Sequence, residues 1–522
     1  MRLSTSAHCA IRYLFGIGGT IAILSGCSGM GNVNPAQGQP AGSLRVAATS
    51  MPWDTEGARR RPADSPKYVM VDVGTFGGPT SFFDCCGNVP PVLNDQNTLV
   101  GQADTIITNP YGSNPNFNCD SIFDPAVEGF AYAYSRGALK NLGTLPGGYN
   151  SYALSISPNG TIAGTSENGQ NDPLLALASC VGVMWRAGGI VSLGTLGGGY
   201  ESIAFALNDR PQVVGSSANT TPDACSFFGW NTQARAFIWE GGKMSDLGTL
   251  GTGNCAAAGF INSHGQVTGF STTNNPISGA PTQDPFFWED GKMRDIGTLG
   301  GTFGFPSDLN EQGQVVGQMN TTGDASSHPF LWSRAGGLKD LGTLGGSNGS
   351  ANELNNAGEV VGRADLSPSS SVHHAFIWKH GKMQDLGLPP GGAPCSTSYA
   401  INSRDQVIGD AGVCNVGGVP FLWQNGVNYA LSSLVLPGSD LTLSDVNVIN
   451  DRGEIACTGT DEMGNIHACV LVPLGEARDE GLTRLMRGIA PALGPLPART
   501  PNRVIDERLI IRRGFHHQRM GA

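Results

Sequence analysis

A seven-residue phrase of the type DLGTLGG recurs along most of this chain. It is DVGTFGG at 72–78, SLGTLGG at 192–198, DIGTLGG at 295–301 and DLGTLGG at 340–346. Each copy is followed by an I/L-N strand, an N-x-x-G turn, a QVVG strand, a variable loop, an F-x-W strand and a G-K-M turn. One unit therefore contains four short strands in about 45–54 residues, which is the size of a propeller blade.

Three strand types can be recognised by their residues: the I/L-N strand, the aromatic strand and the DLG strand. Each of them occurs eight times. The asparagine that ends the I/L-N strand, replaced once by serine, is found at Asn94, Ser157, Asn208, Asn262, Asn310, Asn355, Asn402 and Asn450. The aromatic strand is found near Tyr132, at Trp185, Trp239, Trp288, Trp332, Trp378 and Trp423, and at Cys469. These copies predict an all-β fold, a β-propeller of eight four-stranded blades over residues 67–475.

The two ends of the repeat do not belong to the same strand type. The series opens with a DLG-type strand, YVMVDVG at 68–74, and closes with an aromatic-type strand, HACVLV at 467–472. If the DLG strand is the outer strand of a blade, the first strand completes the last blade and clasps the ring. If it is the inner strand, no clasp exists. We favour the clasp because it covers an edge strand.

Composition agrees with an exported all-β chain. Glycine contributes 76 of 522 residues and charged residues only 14%, as expected for many short strands joined by tight turns. The formal net charge of −11 argues against general nucleic-acid binding.

The N-terminus has the features of an export signal. Arg2 and Arg12 precede an apolar stretch from Tyr13 to Leu24, and this runs into LSGC, which ends at Cys27. We expect residues 1–27 to be a leader with a lipobox and Cys27 to carry a lipid; the alternative is an ordinary secretory signal. Residues 28–66 are predicted to be a flexible tether and residues 476–522 a basic tail, either a short helix or disordered.

The repeat resembles a known family. The segments HHAFIWKHGKMQDLG (373–387) and ELNNAGEVVGRA (353–364) look like the HAF repeat of bacterial extracellular proteins, named for the triplet present here at 374–376. The match covers roughly residues 68–472, and it is weakest in the first and last units. This resemblance implies a surface or secreted location and no established activity.

Antiparallel strands place the connections alternately on two faces of the disc. The short N-x-x-G and G-K-M turns share one face, whereas the TLGG connections share the other with loops that differ in every unit. We expect functional residues on the variable face.

Cysteine positions predict disulfides on that variable face. An even number of cysteines outside the leader favours bridges over metal ligands in an exported chain. Shared connections predict Cys395–Cys414 and a bridge from Cys119 to Cys85 or Cys86. Neighbouring strands predict Cys457–Cys469. The pairing of the others is left open: Cys180, Cys225 and Cys255.

No catalytic constellation, metal site or cofactor motif is predicted. His328, His374 and His467 recur at one place in the unit, which favours a structural hydrogen bond over chemistry. Five acids of the variable loops are weak candidates for contact with a cation or a sugar: Asp104, Asp120, Asp223, Asp284 and Asp324.

Two functional hypotheses follow. The first is a monomeric, lipid-anchored binding or scaffolding propeller at the cell envelope, contacting an envelope protein or a polysaccharide and the membrane only through its anchor. The second is an exported propeller enzyme, a hydrolase or lyase acting on carbohydrate, with two carboxyl groups about 5–10 Å apart near the axis.

Overall fold

The computed structural model describes residues 65–83, 91–110, 119, 125–223, 228–273, 282–414 and 417–474. The predicted leader with Cys27, nearly all of the predicted tether and the basic tail lie outside these ranges. Within them the chain forms strands and two short 3-10 helices, Thr322–Asp324 and Leu431–Ser433. No helix in these ranges is long and apolar enough to cross a bilayer.

The first four blades follow one another along the chain. Blade 1 contains β2 (Gly77–Phe82), β3 (Leu93–Asn94), β4 (Thr98–Thr108), β5 (Val127–Ser135) and β6 (Ala138–Asn141). Blade 2 contains β7 (Ser151–Ile156), β8 (Ile162–Asp172), β9 (Leu177–Arg186) and β10 (Gly189–Gly194). Blade 3 contains β11 (Ser202–Leu207), β12 (Val213–Pro222), β13 (Thr232–Glu240) and β14 (Lys243–Gly248). Blade 4 contains β15 (Ala256–Ile261), β16 (Val267–Thr272), β17 (Gln283–Glu289) and β18 (Lys292–Asp295).

The remaining blades repeat the pattern, and the last one recruits the first strand of the fold. Blade 5 contains β19 (Gly300–Leu309), β20 (Val315–Thr321), β21 (Ser327–Ser333) and β22 (Gly337–Asp340). Blade 6 contains β23 (Gly349–Leu354), β24 (Val360–Asp365), β25 (His373–Lys379) and β26 (Lys382–Gly387). Blade 7 contains β27 (Cys395–Ile401), β28 (Val407–Val413), β29 (Gly417–Gln424) and β30 (Val427–Ala430). Blade 8 contains β31 (Thr442–Ile449), β32 (Ile455–Thr460), β33 (Ile466–Pro473) and β1 (Tyr68–Asp72).

All eight blades are antiparallel and share one strand order. In blade 2 it is β7-β8-β9-β10, and in blade 8 it is β31-β32-β33-β1. Blade 1 departs slightly because β2 and β3 both pair with β4. Blades 4 and 5 are joined by one parallel pair, Gln283 with Phe303. The fold is therefore the predicted β-propeller of eight four-stranded blades.

The strand that ends at the N-x-x-G turn is the inner one. β7 is buried at every position and β11 at all but one, and from β7 to β31 each inner strand contacts its equivalent in the next blade. The DLG strand is the exposed outer strand, as β6, β18 and β22 show.

The N-terminal strand clasps the last blade. β1 pairs antiparallel with β33 from Tyr68 opposite Pro473 to Asp72 opposite Cys469. The clasp prediction is confirmed. Blade 8 also packs on blade 1, since Val71, Val470 and Val100 belong to one buried apolar cluster.

Hydrogen bonds explain the recurring phrase. In DLG the aspartate accepts the N–H of the glycine two residues later; Asp246 does so from Gly248 at 2.8 Å. In TLGG the threonine hydroxyl donates to the carbonyl of the closing glycine; Thr249 does so to Gly253 at 2.6 Å. A Cβ on Gly253 would lie 1.7 Å from the carbonyl oxygen of Thr272, so no other residue fits. The aspartate, the threonine and the closing glycine of the phrase thus stabilise the chain reversals at this connection.

The glycine of QVVG has a separate cause that the sequence did not reveal. Inner strands carry a β-bulge, as between Ala204 and Ala206 of β11. The bulge brings the carbonyl of Ile203 so close to Gly215 that a Cβ there would lie 1.9 Å from it. The same approach occurs at Gly164, Gly269, Gly317, Gly362 and Gly409. Glycine is required because the inner strand bends against its neighbour.

The aromatic strand fills the space between blades. Phe237, Phe286 and Phe330 are fully buried, and the tryptophans two residues further on are largely buried. One apolar cluster combines Phe287 of blade 4 with Trp332 of blade 5, whose ring centroids lie 4.8 Å apart. The predicted interblade packing of these rings is therefore present.

Candidate functional site

The strand order defines two faces. Turns from inner to second strand and from third to outer strand lie on one side, here called the turn face. Connections from second to third strand, and from each outer strand to the next blade, lie on the other side, here called the loop face. The two faces differ in uniformity and in surface chemistry.

The turn face is held by one hydrogen bond repeated from blade to blade. The side-chain amide of the turn asparagine donates to the carbonyl of the equivalent residue in the next blade, at 3.0–3.4 Å. The donors are Asn94, Asn208, Asn262, Asn310, Asn355, Asn402 and Asn450. Such a repeated contact is structural, and it makes the turns on this face similar from blade to blade.

Blade 2 replaces the asparagine with Ser157, and a neighbour makes the missing link. Asn159, two residues later, donates its amide to the carbonyl of Asp209 at 3.1 Å. Its backbone N–H also donates to the Asp209 carboxylate at 3.2 Å. The bridge to blade 3 is thus retained by a different residue.

The loop face is irregular from blade to blade. The second strands of blades 1, 2 and 3 have 11, 11 and 10 residues. Those of blades 4 to 8 have six or seven. All these strands start at equivalent turns. The longer second strands of blades 1 to 3 therefore extend further on the loop face than those of blades 4 to 8.

Exposed apolar side chains concentrate on the loop face. Among the described residues nine large apolar side chains are exposed, and eight of them lie there. The most exposed are Met463 at 81%, Ile106 at 79% and Val413 at 60%. The others on this face are Ile107, Tyr149, Leu174, Tyr200 and Leu388. The ninth, Leu474, lies at the end of β33 on the turn face.

These eight side chains follow one arc of the ring. Leu388 lies at the entry to blade 7, Val413 in blade 7, Met463 in blade 8 and Ile106 in blade 1. Leu174 lies in blade 2, and Tyr200 precedes blade 3. The arc thus spans about half of the disc, from blade 7 through blades 8 and 1 to blade 2. We call these eight residues the apolar arc.

Disulfides stabilise loops in the same arc. Cys395 and Cys414 are bonded in blade 7 with a Cα–Cα distance of 5.0 Å, as predicted. A second disulfide joins Cys119 of blade 1 to Cys180 of blade 2, with a Cα–Cα distance of 6.0 Å. The prediction that Cys119 pairs with Cys85 or Cys86 is therefore wrong, because Cys119 lies beside Cys180 of the neighbouring blade. Cys85 and Cys86 lie outside the described residues.

The other cysteine prediction concerns blade 8. Cys457 and Cys469 face each other on β32 and β33 and are bonded, as expected from their neighbouring strands. Both are fully buried, so this bridge belongs to the blade interior. Cys255 is also disulfide-bonded.

The predicted loop acids do not form one site. The four described ones lie in or beside different blades, and Asp120 lies outside the described residues. Asp104 is buried within β4 and accepts the hydroxyl of Thr80. Asp223 follows β12 and accepts the side-chain amide of Asn254.

Asp324 and Asp284 have opposite surroundings. Burial opposes the ionisation of Asp324, but hydrogen bonds from Thr302 and Asn320 outweigh it and hold its pKa below the ordinary value. Asp284 is only 7% exposed, and its Oδ1 has no hydrogen-bond partner. Burial, and then the charge of Asp295, raise the pKa of Asp284 to about 7. Of the predicted loop acids, Asp284 thus combines burial with a side-chain oxygen that accepts no hydrogen bond.

The recurring histidines have the predicted structural role. His328, His374 and His467 each contact the aspartate of the outer strand beside them, at 2.9–3.0 Å. In blade 3 Arg235 takes the same place and binds Asp246 at 3.0 Å. A histidine or an arginine on the third strand thus contacts the aspartate of the outer strand in four blades.

The sequence analysis missed two carboxyl groups on inner strands. Asp308 of β19 and Glu353 of β23 occupy the position two residues before the turn asparagine. Most other units have a small or apolar residue there, such as Ala206 or Ala400. That departure from the repeat was the available signal.

Both groups brace neighbouring inner strands. Asp308 accepts the N–H of Leu309 at 2.7 Å and that of Leu354 in the next blade at 3.1 Å. Burial raises its pKa to about 6 although these bonds favour the charged form. Burial, and then the charge of Asp308, hold the pKa of Glu353 well above its ordinary value, against a hydrogen bond from the Ile401 N–H. Backbone N–H groups donate to both oxygens of Asp308. The pair therefore links neighbouring strands and has no free carboxyl oxygen on Asp308 for acid–base catalysis.

One further group brings potential metal ligands together. The ligand atoms of His373, Cys395 and Cys414 lie within 4.8 Å of one another. The two cysteines are joined in a disulfide and so offer no thiolate. Burial is the main cause that lowers the pKa of His373 to about 4, which keeps its imidazole neutral at pH 7.

Comparisons with known proteins show similarity only to solved structures. No protein-family model matches, and no curated protein matches. The β-propeller domain of the Trilobed protease from Pyrococcus furiosus, reported to have an open velcro topology, aligns with a TM-score of 0.36 at 9% identity over 70% of this chain and 95% of its own.

Two further solved structures align over less of their own length. Porphyromonas gingivalis dipeptidyl peptidase 4 gives a TM-score of 0.37 at 10% identity, over 66% of this chain and 55% of that one. Trypanosoma rangeli sialidase gives 0.32 at 12% identity, over 82% of this chain and 62% of that one. At such TM-scores we draw no functional argument from them.

Proposed function

We propose that this protein is an exported, lipid-anchored binding or scaffolding module of the HAF-repeat type, which holds a protein partner on its loop face at the cell envelope. The observation that carries the proposal is the apolar arc. Of the nine large apolar side chains that are exposed in the described part of the chain, eight occupy one half of one face. Apolar side chains grouped on one surface are typical of interaction sites, whereas single ones are not.

The chemistry of the arc favours a protein over a polysaccharide. Six of its eight members are aliphatic or methionine: Ile106, Ile107, Leu174, Leu388, Val413 and Met463. Such side chains bury well against another apolar protein surface, and methionine and tyrosine are enriched at protein interfaces. The disulfides Cys119–Cys180 and Cys395–Cys414 hold two loops of the arc, which reduces the entropy lost on binding.

The chain ends favour presentation of this face away from a membrane. The N–H of Leu474 donates to the carbonyl of Lys67 at 2.8 Å, so the propeller begins and ends at one point. That point lies on the turn face, because β1 runs from there to the DVGTFGG connection on the loop face. A lipid at Cys27 and a tether over 28–66 would therefore approach the turn face and leave the apolar arc free.

The carbohydrate-enzyme alternative lacks a comparable observation. Asp308 and Glu353 are the acids of the described inner strands that interact most strongly, and both accept backbone N–H groups from the next blade. Glycoside hydrolysis needs one carboxyl group free to protonate the leaving oxygen and another to act on the sugar.

Site-specific crosslinking in cells tests the proposal on the full-length protein. A photoreactive residue at Ile106 or Val413 is expected to give an adduct with one and the same protein. The same residue at Leu474, an exposed apolar position on the turn face, is the matched control and should give none. In addition, Ile107→Asp and Leu174→Asp should abolish the Ile106 adduct. Equal adducts from both faces, or none from the arc, would refute the loop-face assignment.

Two other outcomes decide between the alternatives. An adduct with envelope polysaccharide and not protein would replace the partner class. Polysaccharide cleavage that is lost in Glu353→Gln would favour the enzyme.

Fractionation tests the anchor separately. Cys27→Ala should release the protein from the membrane fraction, and Cys9→Ala should not. Unchanged processing and membrane association of Cys27→Ala would contradict the lipobox interpretation.

A further inference from the structure

The repeat itself shows what belongs beside a DLG aspartate. In blades 5, 6 and 8 a histidine of the third strand lies 2.9–3.0 Å from it, and in blade 3 an arginine does. Register is shared, since Phe237, Phe286, Phe330 and Phe376 each pair with the aspartate of the outer strand. The histidine or arginine stands two residues before the residue paired with the aspartate, which is a phenylalanine in blades 3, 5 and 6 and Cys469 in blade 8. Blade 4 has Asp284 at this position.

Blade 4 therefore places a second carboxyl group where four other blades place a histidine or an arginine. Asp284 is more than nine-tenths buried, and its Oδ1 is buried without a hydrogen-bond partner. The charge of Asp295 acts on it directly and, with burial, raises its pKa. Asp295 keeps the ordinary bond of its position, from the N–H of Gly297 at 2.7 Å. A buried carboxyl beside a second carboxylate is unfavourable in its charged form unless a proton or a cation compensates it.

Blade 3 shows which atoms surround the side chain at this position. The guanidinium of Arg235 contacts Asp246 and, at 3.4 Å, the backbone carbonyl of Asn254, eight residues further along. In blade 4 the chain beyond Asp295 also returns beside the third strand, since Phe303 is paired with Gln283 next to Asp284. The position is therefore bordered by the carboxyl groups of Asp284 and Asp295. Oxygen donors of this kind are ligands of hard divalent cations.

We propose that Asp284 and Asp295 bind a hard divalent cation, preferably Ca²⁺, at the loop-face rim of blade 4. The two carboxylates balance the charge of the ion, and water supplies the remaining ligands. Ca²⁺ accepts such an irregular set, whereas Mg²⁺ requires a near-octahedral one. The ion does for blade 4 what His328, His374 and His467 do for their own blades. This inference does not depend on the proposed function.

Calorimetry and thermal unfolding test the site on the full mature chain, freed of metal with EDTA and dialysed at pH 7.5. Ca²⁺ should bind at one site with a dissociation constant on the order of 10⁻⁴–10⁻³ M, as in extracellular modules. At 10 mM it should raise the unfolding temperature by about 2–4 °C, and Mg²⁺ should raise it less. Absence of binding to the wild type would overturn the proposal.

Variants separate the site from other acids and from simple protonation. Asp284→Asn and Asp295→Asn should lose the Ca²⁺ response, whereas Asp340→Asn, in a blade whose aspartate already has His328, should keep it. Asp284→His recreates the pair of blades 5, 6 and 8. It should be at least as stable without Ca²⁺ as the metal-free wild type, and it should not respond to Ca²⁺. A response that persists in Asp284→Asn, or a wild-type stability that varies with pH near 7 and not with Ca²⁺, would overturn the proposal.

Discussion

The side-chain amide of Asn450 donates a hydrogen bond of 3.1 Å to the backbone carbonyl of Asn94, although 356 residues separate them in the chain. This bond joins blade 8 to blade 1. It is the same bond that joins blade 5 to blade 6, where Asn310 donates to Asn355 at 3.1 Å. The junction between the chain ends is thus built from the same parts as the covalently continuous junctions.

Asn450→Ala should destabilise the propeller by about 1–3 kcal/mol, because it removes the amide that donates to the Asn94 carbonyl and to the buried Glu454 carboxylate. Urea unfolding would measure the change. Gln312→Ala on the same face serves as the control, since that side chain is exposed, and it should stay within about 0.5 kcal/mol of wild type. Equal effects of both variants would show that the asparagine bonds contribute nothing.

The clasp should weaken as the pH rises. The Asp72 carboxylate is the main cause that raises the pKa of His467 above its ordinary value. A raised folded-state pKa means that the contribution is complete below the unfolded value of about 6.5 and is lost as the pH rises through the folded value. Hydrogen exchange of the β1 amides between pH 5.5 and 8.5 should therefore accelerate beyond the intrinsic rate. Asp72→Asn should remove that dependence; an unchanged profile would contradict it.

The two loop disulfides should contribute differently to the free energy of unfolding. Cys119–Cys180 closes a segment of 61 residues and Cys395–Cys414 one of 19. The chain-entropy model gives about 4 and about 3 kcal/mol respectively. The double serine variant of the first pair should thus have the lower urea midpoint. Peptide mapping without reductant should find Cys119 linked to Cys180; a link from Cys119 to Cys86 would contradict the structure.

Gly215→Ala should be among the most damaging single methyl additions, because the new Cβ would lie 1.9 Å from the Ile203 carbonyl. We expect a loss of about 3 kcal/mol or more, or failure to fold. Gly188→Ala is the matched control, as nothing lies within 4 Å of a Cβ there. Circular dichroism and soluble yield would compare them. A well-folded Gly215→Ala of wild-type stability would mean that the bulge relaxes freely.

Sequence alone determined the parts that repeat. Eight copies of Asn94 and its equivalents, the F-x-W pairs and the mismatched ends were enough to predict eight blades and the clasp by β1. A repeat fixes local hydrogen bonding and period, because each blade must bury the same faces against its neighbours. It also showed that His328, His374 and His467 have one common role.

Only the tertiary structure decided what joins different units. The Cys119–Cys180 bridge could not be derived because both cysteines lie in loops whose paths no repeat constrains. The apolar arc needed strand lengths and exposure, since Ile106 and Val413 are unremarkable in sequence. Asp284 became distinctive only when its register beside Asp295 was known. Non-repeating contacts depend on where loops lie in space, and one-dimensional periodicity carries no information about that.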